Sequence, residues 1–244
     1  LSSIPPVTRH LIIINVLLWL ATIVLMRSHV MDLTDLLGLH YWQSSRFNAA
    51  QLVTHMFMHD TSGISHIFFN MFALWMFGRI LEQVMGSKRY LFYYLTCGIG
   101  AGLVQELAWQ FTWQDILMSH VSAPAGATAA QVVEAIRQGQ AAFTMDEFYS
   151  TMVTVGASGA VFGILLAFAM LFPNVPLYLF FIPVPIKAKW MVLGYAALEL
   201  FLGLSGQMTS VAHFAHVGGM LFGVILILYW RHKGVLGKGG HGYY

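Results

Sequence analysis

Hydrophobic residues in this chain gather into six long runs, at about 10–26, 64–85, 90–109, 155–172, 189–204 and 211–230. A helix that crosses the hydrocarbon core needs about 20 mostly apolar residues. Each run therefore predicts a transmembrane helix, and the chain reads as an all-α membrane protein with six spans. Pro173 ends the fourth run, because proline cannot continue a helix without losing a hydrogen bond. One long polar stretch, 110–150, interrupts the pattern and predicts an extramembrane insertion before the fourth helix. It holds a Pro/Ala/Gly stretch at 122–130 and a helix-like piece at 131–138. The membrane domain is expected over 1–230, followed by a basic, Gly-rich tail at 231–244.

The few charges give the runs a direction. With the N-terminus inside, Arg9, Arg79, Lys88, Arg89, Lys187, Lys189, Arg231, Lys233 and Lys238 all fall at cytoplasmic ends. Arg27, Arg46 and Arg137 fall outside, together with most of the acids. The excess of Lys and Arg on cytoplasmic loops predicts that both termini are cytoplasmic. The first run has no small-x-small cleavage site after Met26 and reads as a span, not a removable signal.

Composition agrees and narrows the function. The chain has 244 residues, of which 58% are hydrophobic and 9% charged. Soluble domains carry about 25% charged residues, so a soluble enzyme and a disordered chain are excluded. A net charge of +2 is too small for a nucleic-acid partner. One cysteine excludes a disulfide framework and a Cys-based zinc site.

Polar residues inside spans are costly and mark candidate function. The second run carries His66 and Asn70, which share a helix face at i and i+4. The fourth carries Ser158 within Gly156-Ala157-Ser158-Gly159, and the sixth carries His213 and His216. At 1.5 Å per residue, Asn70 lies roughly 24 Å above Gly86, and Ser158 and His216 each roughly 22 Å above Pro173 and Arg231. The three helices run in the same sense, so these groups reach one level. That level is roughly 8 Å below the outer surface of a 30 Å core.

Together they suit acyl transfer, most naturally peptide hydrolysis. A neutral imidazole takes the serine proton and returns it to a leaving amine. Asn70, His66 and the Ser158 amide can donate to an oxyanion. Gly159 and Gly163, and Gly219 and Gly223, give small-xxx-small faces that let helices four and six approach closely. Gly156 permits a turn that a Cβ would resist. No third triad member emerges: Glu199 is an intramembrane carboxylate without an assignable partner, so a Ser–His dyad is expected. On spacing alone, Gly-Ala-Ser-Gly fits helix packing more often than catalysis. His213 and His216 fit a metal pair, and a metal carrier or transporter stays open at this point. His55 and His59 lack the glutamate of a His-Glu-x-x-His zinc protease.

In their order and on their spans, these motifs resemble the rhomboid intramembrane serine proteases. The resemblance runs from Pro5 to about Trp230, through His59, His66-Ile-Phe-Phe-Asn70, Gly156-Ala157-Ser158-Gly159 and Ala215-His216-Val217-Gly218-Gly219 with Gly223. Trp42 and Arg46 correspond only loosely to the family's Trp-Arg pair. The resemblance implies a six-helix bundle with an outward-opening cavity, Ser158 as nucleophile and His216 as base, with no cofactor and no metal. It implies Asn70, His66 and the Ser158 amide as oxyanion donors and Phe162 as an aromatic ring on the histidine. It implies transmembrane protein substrates, cut in the bilayer near the outer boundary, and a substrate gate at helix five and 203–210. The alternative is a non-catalytic rhomboid-like protein that binds or escorts client segments. Six spans without a seventh and without an organelle signal point to a prokaryotic plasma membrane.

Overall fold

The computed structural model describes residues 4–124, 126–179, 182–205 and 212–236. Helix α1 spans Pro6–Arg27. It starts on proline, which has no N–H to leave unsatisfied. Its next amides, of Val7 and Thr8, donate to the Glu82 carboxylate at 2.9 and 2.7 Å. Glu82 also accepts from the Thr8 and Ser87 hydroxyls. One buried carboxylate thus ties the start of α1 to the end of the second span.

A short helix α2 (Leu33–Leu37), capped by the Asp32 carboxylate, leads into strand β1 (Leu39–His40) and helix α3 (Gln51–Thr54). The second apolar run is one continuous helical segment in three parts. These are α4 (Ser65–Ala73), a π-helical turn (Leu74–Gly78) and α5 (Arg79–Met85). The extra residue in the π turn shifts the helix face, turning Leu74 and Phe77 into the core.

Helix α6 runs from Ser87 to His120, well past the expected end near Trp109. Its outer turns are therefore part of the predicted insertion. The remainder folds as α7 (Ala129–Arg137) and α8 (Met145–Thr151), each opened by a capping box, Thr128/Gln131 and Thr144/Glu147. The reciprocal bonds of such boxes satisfy two otherwise orphan amides. Tyr41, Trp109, Leu117, Ile136, Phe148 and Met152 form a second hydrophobic cluster beneath these helices. The insertion is thus a packed cap. Asp146 holds it down by accepting from the Ser45 amide and hydroxyl, both at 2.7 Å.

Strand β2 (Val153–Thr154) follows and pairs antiparallel with β1. Then come α9 (Ser158–Leu171), strands β3 (Pro176–Leu179) and β4 (Ile182–Lys187), α10 (Ala188–Ser205) and α11 (His213–His232). The chain is mostly helical, and the two short antiparallel ladders are the departures from the all-α expectation. Prolines 173, 176, 183 and 185 keep the second ladder's sequence from forming helix.

Helix α6 is central, with α9 and α11 packed on it and on each other. Buried Tyr90, Tyr93, Tyr94 and Cys97 line its inner face. Tyr93 donates to the Gly163 carbonyl at 2.7 Å, and Arg231 to the Met170 carbonyl at 2.5 Å. Among the described residues, α1, α10 and α11 are long and apolar enough to cross a membrane, with α9 a shorter apolar helix. Leu17 and Val24 of α1, and Phe201 and Leu204 of α10, are exposed. Apolar side chains on an outer face suit a lipid solvent. Residues 206–210 of the expected gate and 237–244 of the tail lie outside the described residues. The start of the tail folds back, with Leu236 buried.

The segment between α1 and α4 buries three histidines, His40, His55 and His59. The His55 Nδ1–H donates to the Gln51 carbonyl at 2.8 Å. Burial pushes His55 down from about 6.5 to about 4 and His59 to about 3. Below pH 6.5 the unfolded chain binds protons that the folded chain refuses. Stability is therefore complete above 6.5 and falls as pH drops toward 4. Thermal unfolding in detergent should show a midpoint that decreases from pH 7 to 4.5. His55→Asn should flatten that dependence, and an unchanged slope would remove His55 as its source.

Candidate active site

The cap and the segment before α4 set the entry to α9. β1–β2 pairing fixes the chain at Thr154, and the Gly156 amide donates to the His55 carbonyl at 2.9 Å. Gly156 then turns at φ +128°, a conformation that L side chains rarely adopt. A Cβ there would also sit 2.9 Å from His66 Nε2. Two residues later Ser158 opens α9. Amides in the first turn of a helix have no intrahelical acceptor. The positive end of the helix dipole also favours a negative charge at this point.

His216 sits in the first turn of α11. Its Nε2 lies 2.8 Å from Ser158 Oγ. Phe162, one turn after the serine, stacks on the imidazole at 4.2 Å between ring centres and 15° between planes. His216 is buried and Ser158 half-buried. The hydroxyl therefore remains accessible to a reagent while its partner is held.

His66 and Asn70 occupy one face of α4, as the spacing predicted. The Asp60 amide donates to His66 Nδ1 at 3.2 Å. That bond makes Nδ1 the acceptor, so the proton resides on Nε2, the nitrogen beside Gly156. His66 is thereby set as a donor toward the Ser158 side. Asn70 is buried and donates one amide hydrogen to the His66 carbonyl at 2.8 Å. Its second hydrogen is left for another acceptor. His59 packs against His66, with ring centres 5.1 Å apart.

The glycines divide between two partners. Gly219 of α11 lies against the backbone of Gly159, where even one methyl would overlap the Gly159 carbonyl. Gly163 faces Cys97 and the Gly219 carbonyl. Gly223, expected against helix four, instead takes the Tyr93 ring and the Cys97 sulfur of α6. The third helix sits where the sequence pairing of small faces had put the fourth.

Sequence reasoning missed one contact. Glu199 of α10 places Oε2 2.6 Å from His213 Nδ1 and 2.9 Å from His216 Nδ1. The first is a hydrogen bond; the second is close enough but not yet aligned as one. A carboxylate in an apolar run was the available signal, and separations of 14 and 17 residues concealed its partners. The three ligand atoms lie within 4.8 Å of one another. Ligands on a tetrahedral zinc, with bonds near 2.0–2.1 Å, would stand about 3.3 Å apart. The Glu199 contacts are shorter and have hydrogen-bond spacing. Trp42 and Arg46 lie outside the site: the Trp42 amide donates to Glu106, and Arg46 pairs with Asp35.

A helical membrane bundle that brings a serine and a histidine from two helices into contact, beside an Asn/His face on a third, defines a narrow class. A profile of the Rhomboid domain matches residues 46–233. The chain belongs to the rhomboid family and is a multi-pass membrane protein. It is 28% identical to Rhomboid protein 1, mitochondrial, of Saccharomyces cerevisiae, covering 66% of this chain and 36% of that protein. It is 27% identical to Rhomboid-like protein 11, chloroplastic, of Arabidopsis thaliana, covering 72% and 51%. RHOMBOID-like protein 12, mitochondrial, of the same plant is 30% identical, covering 75% and 46%. The chain thus spans between about a third and a half of the length of these relatives. Their names refer to mitochondria and chloroplasts, which does not favour the prokaryotic plasma membrane expected from the sequence.

Proposed function

We propose that this protein is an intramembrane serine endopeptidase that cleaves transmembrane protein substrates near the outer membrane boundary. In this reading the segments α1, α4–α5, α6, α9, α10 and α11 are six spans, with both termini cytoplasmic. The observation that carries the reading is the 2.8 Å contact between Ser158 Oγ and His216 Nε2. Family membership supports it.

The chemistry follows from those atoms. Nε2 takes the Ser158 proton as Oγ bonds to the substrate carbonyl carbon. The carbonyl oxygen becomes an oxyanion, and the Ser158 amide, His66 Nε2–H and the free Asn70 N–H are the donors around it. The imidazolium then protonates the leaving amine and the peptide bond breaks. Water repeats the sequence on the acyl-enzyme and frees the serine. The short length of α9 supports a site inside the bilayer. Fourteen residues span about 21 Å, less than a hydrocarbon core of about 30 Å, so a helix ending at the inner face begins below the outer one.

The test is labelling by a fluorophosphonate, which forms a covalent bond only with an activated serine. Wild type in liposomes is expected to label and to cleave a transmembrane reporter, and Ser158→Ala to do neither while keeping its helical content. A folded wild type that resists the probe would support a client-binding protein without catalysis.

A further inference from the structure

We propose that Glu199 is a positioning residue for His216, making the site a Ser158–His216–Glu199 triad held in place by His213. This inference rests on the protease reading above. His216 can serve Ser158 only if Nε2 carries no proton, so its single proton must be on Nδ1. A carboxylate at Nδ1 selects that tautomer, because it accepts and cannot donate. Glu199 Oε2 is 2.9 Å from His216 Nδ1. No other hydrogen-bond partner for this nitrogen is found among the described residues.

His213 explains how the carboxylate keeps its place. It lies one turn before His216 on α11 and donates from Nδ1 to the same oxygen at 2.6 Å. Glu199 is half-buried in α10 and both histidines are buried in α11. The other groups around His216 are Ser158 and Phe162 from α9 and His66 from α4. On α6, Glu106 is turned to the Trp42 amide. Glu199 is therefore the one carboxylate at this imidazole among the described residues.

In the resting geometry the His216 N–H is not aligned on Oε2. A small rotation of the ring completes the bond when Nε2 takes the serine proton. The proton passes from Oγ to Nε2 and then to the leaving amine. Nδ1–H stays on the ring throughout, and the carboxylate stays ionised, so charge and protons balance. Because Glu199 comes from α10 and its partners from α11, the orientation of the His216 ring depends on how these two helices lie together.

The experiment compares wild type, Glu199→Gln and Glu199→Asp in detergent and liposomes. The glutamine amide has the right size but no charge, and it can offer Nδ1 either its oxygen or its hydrogens, so it neither fixes the tautomer nor stabilises the imidazolium. A fall in kcat of roughly 10²–10⁴-fold is expected, by analogy with the loss of a triad carboxylate, with KM and helical content kept. Glu199→Asp, which keeps the carboxylate, should recover at least about a tenth of the wild-type kcat. With the His216 ring doubly protonated at acidic pH, wild type should also show a downfield His216 Nδ1–H resonance that Glu199→Gln lacks and His213→Asn keeps. If Glu199→Gln does not fold, Glu199→Asp and the wild-type resonance carry the test.

A wild type that labels and cleaves beside an unimpaired Glu199→Gln overturns this inference alone. A wild type that does neither overturns the protease reading and this inference with it. Activity lost on treatment with a chelator and restored by Zn²⁺ would make the cluster a metal site and also overturn it. Retained activity under chelation is the expected result.

Discussion

Replacing His216 with alanine is expected to lower cleavage of a transmembrane reporter by roughly 10⁴–10⁶-fold, as far as Ser158→Ala does, with the double variant no worse than either. His216 has two tasks in the proposed reaction, removing the serine proton and protonating the leaving amine, and neither has a substitute nearby. His213 is on the same helix, but its Nδ1 is already bonded to Glu199. His66 holds its proton on Nε2, the nitrogen beside Gly156 that faces the site. Asn70→Ala should be milder, about 10²–10³-fold in kcat, the usual effect of losing one oxyanion donor. The Ser158 amide and His66 would remain as donors. The measurement is initial rate against enzyme concentration in liposomes, with fluorophosphonate labelling alongside. A His216→Ala protein that keeps more than a hundredth of the wild-type rate would exclude it as the base.

The parts of this site that were legible in the sequence share a property: each is fixed within one helix. His66 and Asn70 share a face because helical spacing requires it. Ser158 follows a glycine that only a special backbone geometry explains. Phe162 on the imidazole was implied by the family resemblance, and it stacks there from one turn after Ser158.

What was not legible depends on how separate helices meet. The partner of Glu199 required knowing that α10 turns this face toward α11. Small-residue spacing says that a helix approaches another closely but does not say which, and Gly223 therefore meets Tyr93 of α6. The insertion was read as polar because its charges are on its outer surface. Its core residues, such as Leu117, Ile136 and Phe148, are too far apart in sequence to form a periodic pattern. Helix α6 continues to His120 for a related reason. Polarity marks where the lipid ends, whereas backbone hydrogen bonding continues as long as the side chains find something to pack on.

Gly219→Ala should be the most damaging single methyl addition in the helical bundle, and Gly194→Ala among the least. Both are glycine-to-alanine changes inside helices, where alanine is intrinsically favoured by about 1 kcal/mol. They differ in what the new Cβ meets. At Gly219 it overlaps the carbonyl of Gly159, a backbone group that cannot rotate away. At Gly194 nothing lies within 4 Å. Relief at Gly219 therefore requires α9 and α11 to move apart as bodies, and those helices carry Ser158 and His216. Overpacking where side chains can yield costs about 1–3 kcal/mol; with backbone on the opposing side the cost should reach or exceed the top of that range. Separation also stretches the 2.8 Å Ser158–His216 contact, so activity should fall even in molecules that remain folded. Thermal unfolding in detergent, with labelling measured well below the midpoint, separates these two effects. Equal midpoints for Gly219→Ala and Gly194→Ala would show that the α9–α11 contact does not set the spacing of the catalytic pair. A lower midpoint for Gly219→Ala, with slowed labelling in its folded fraction, would tie the reactivity of Ser158 to one glycine three residues after His216.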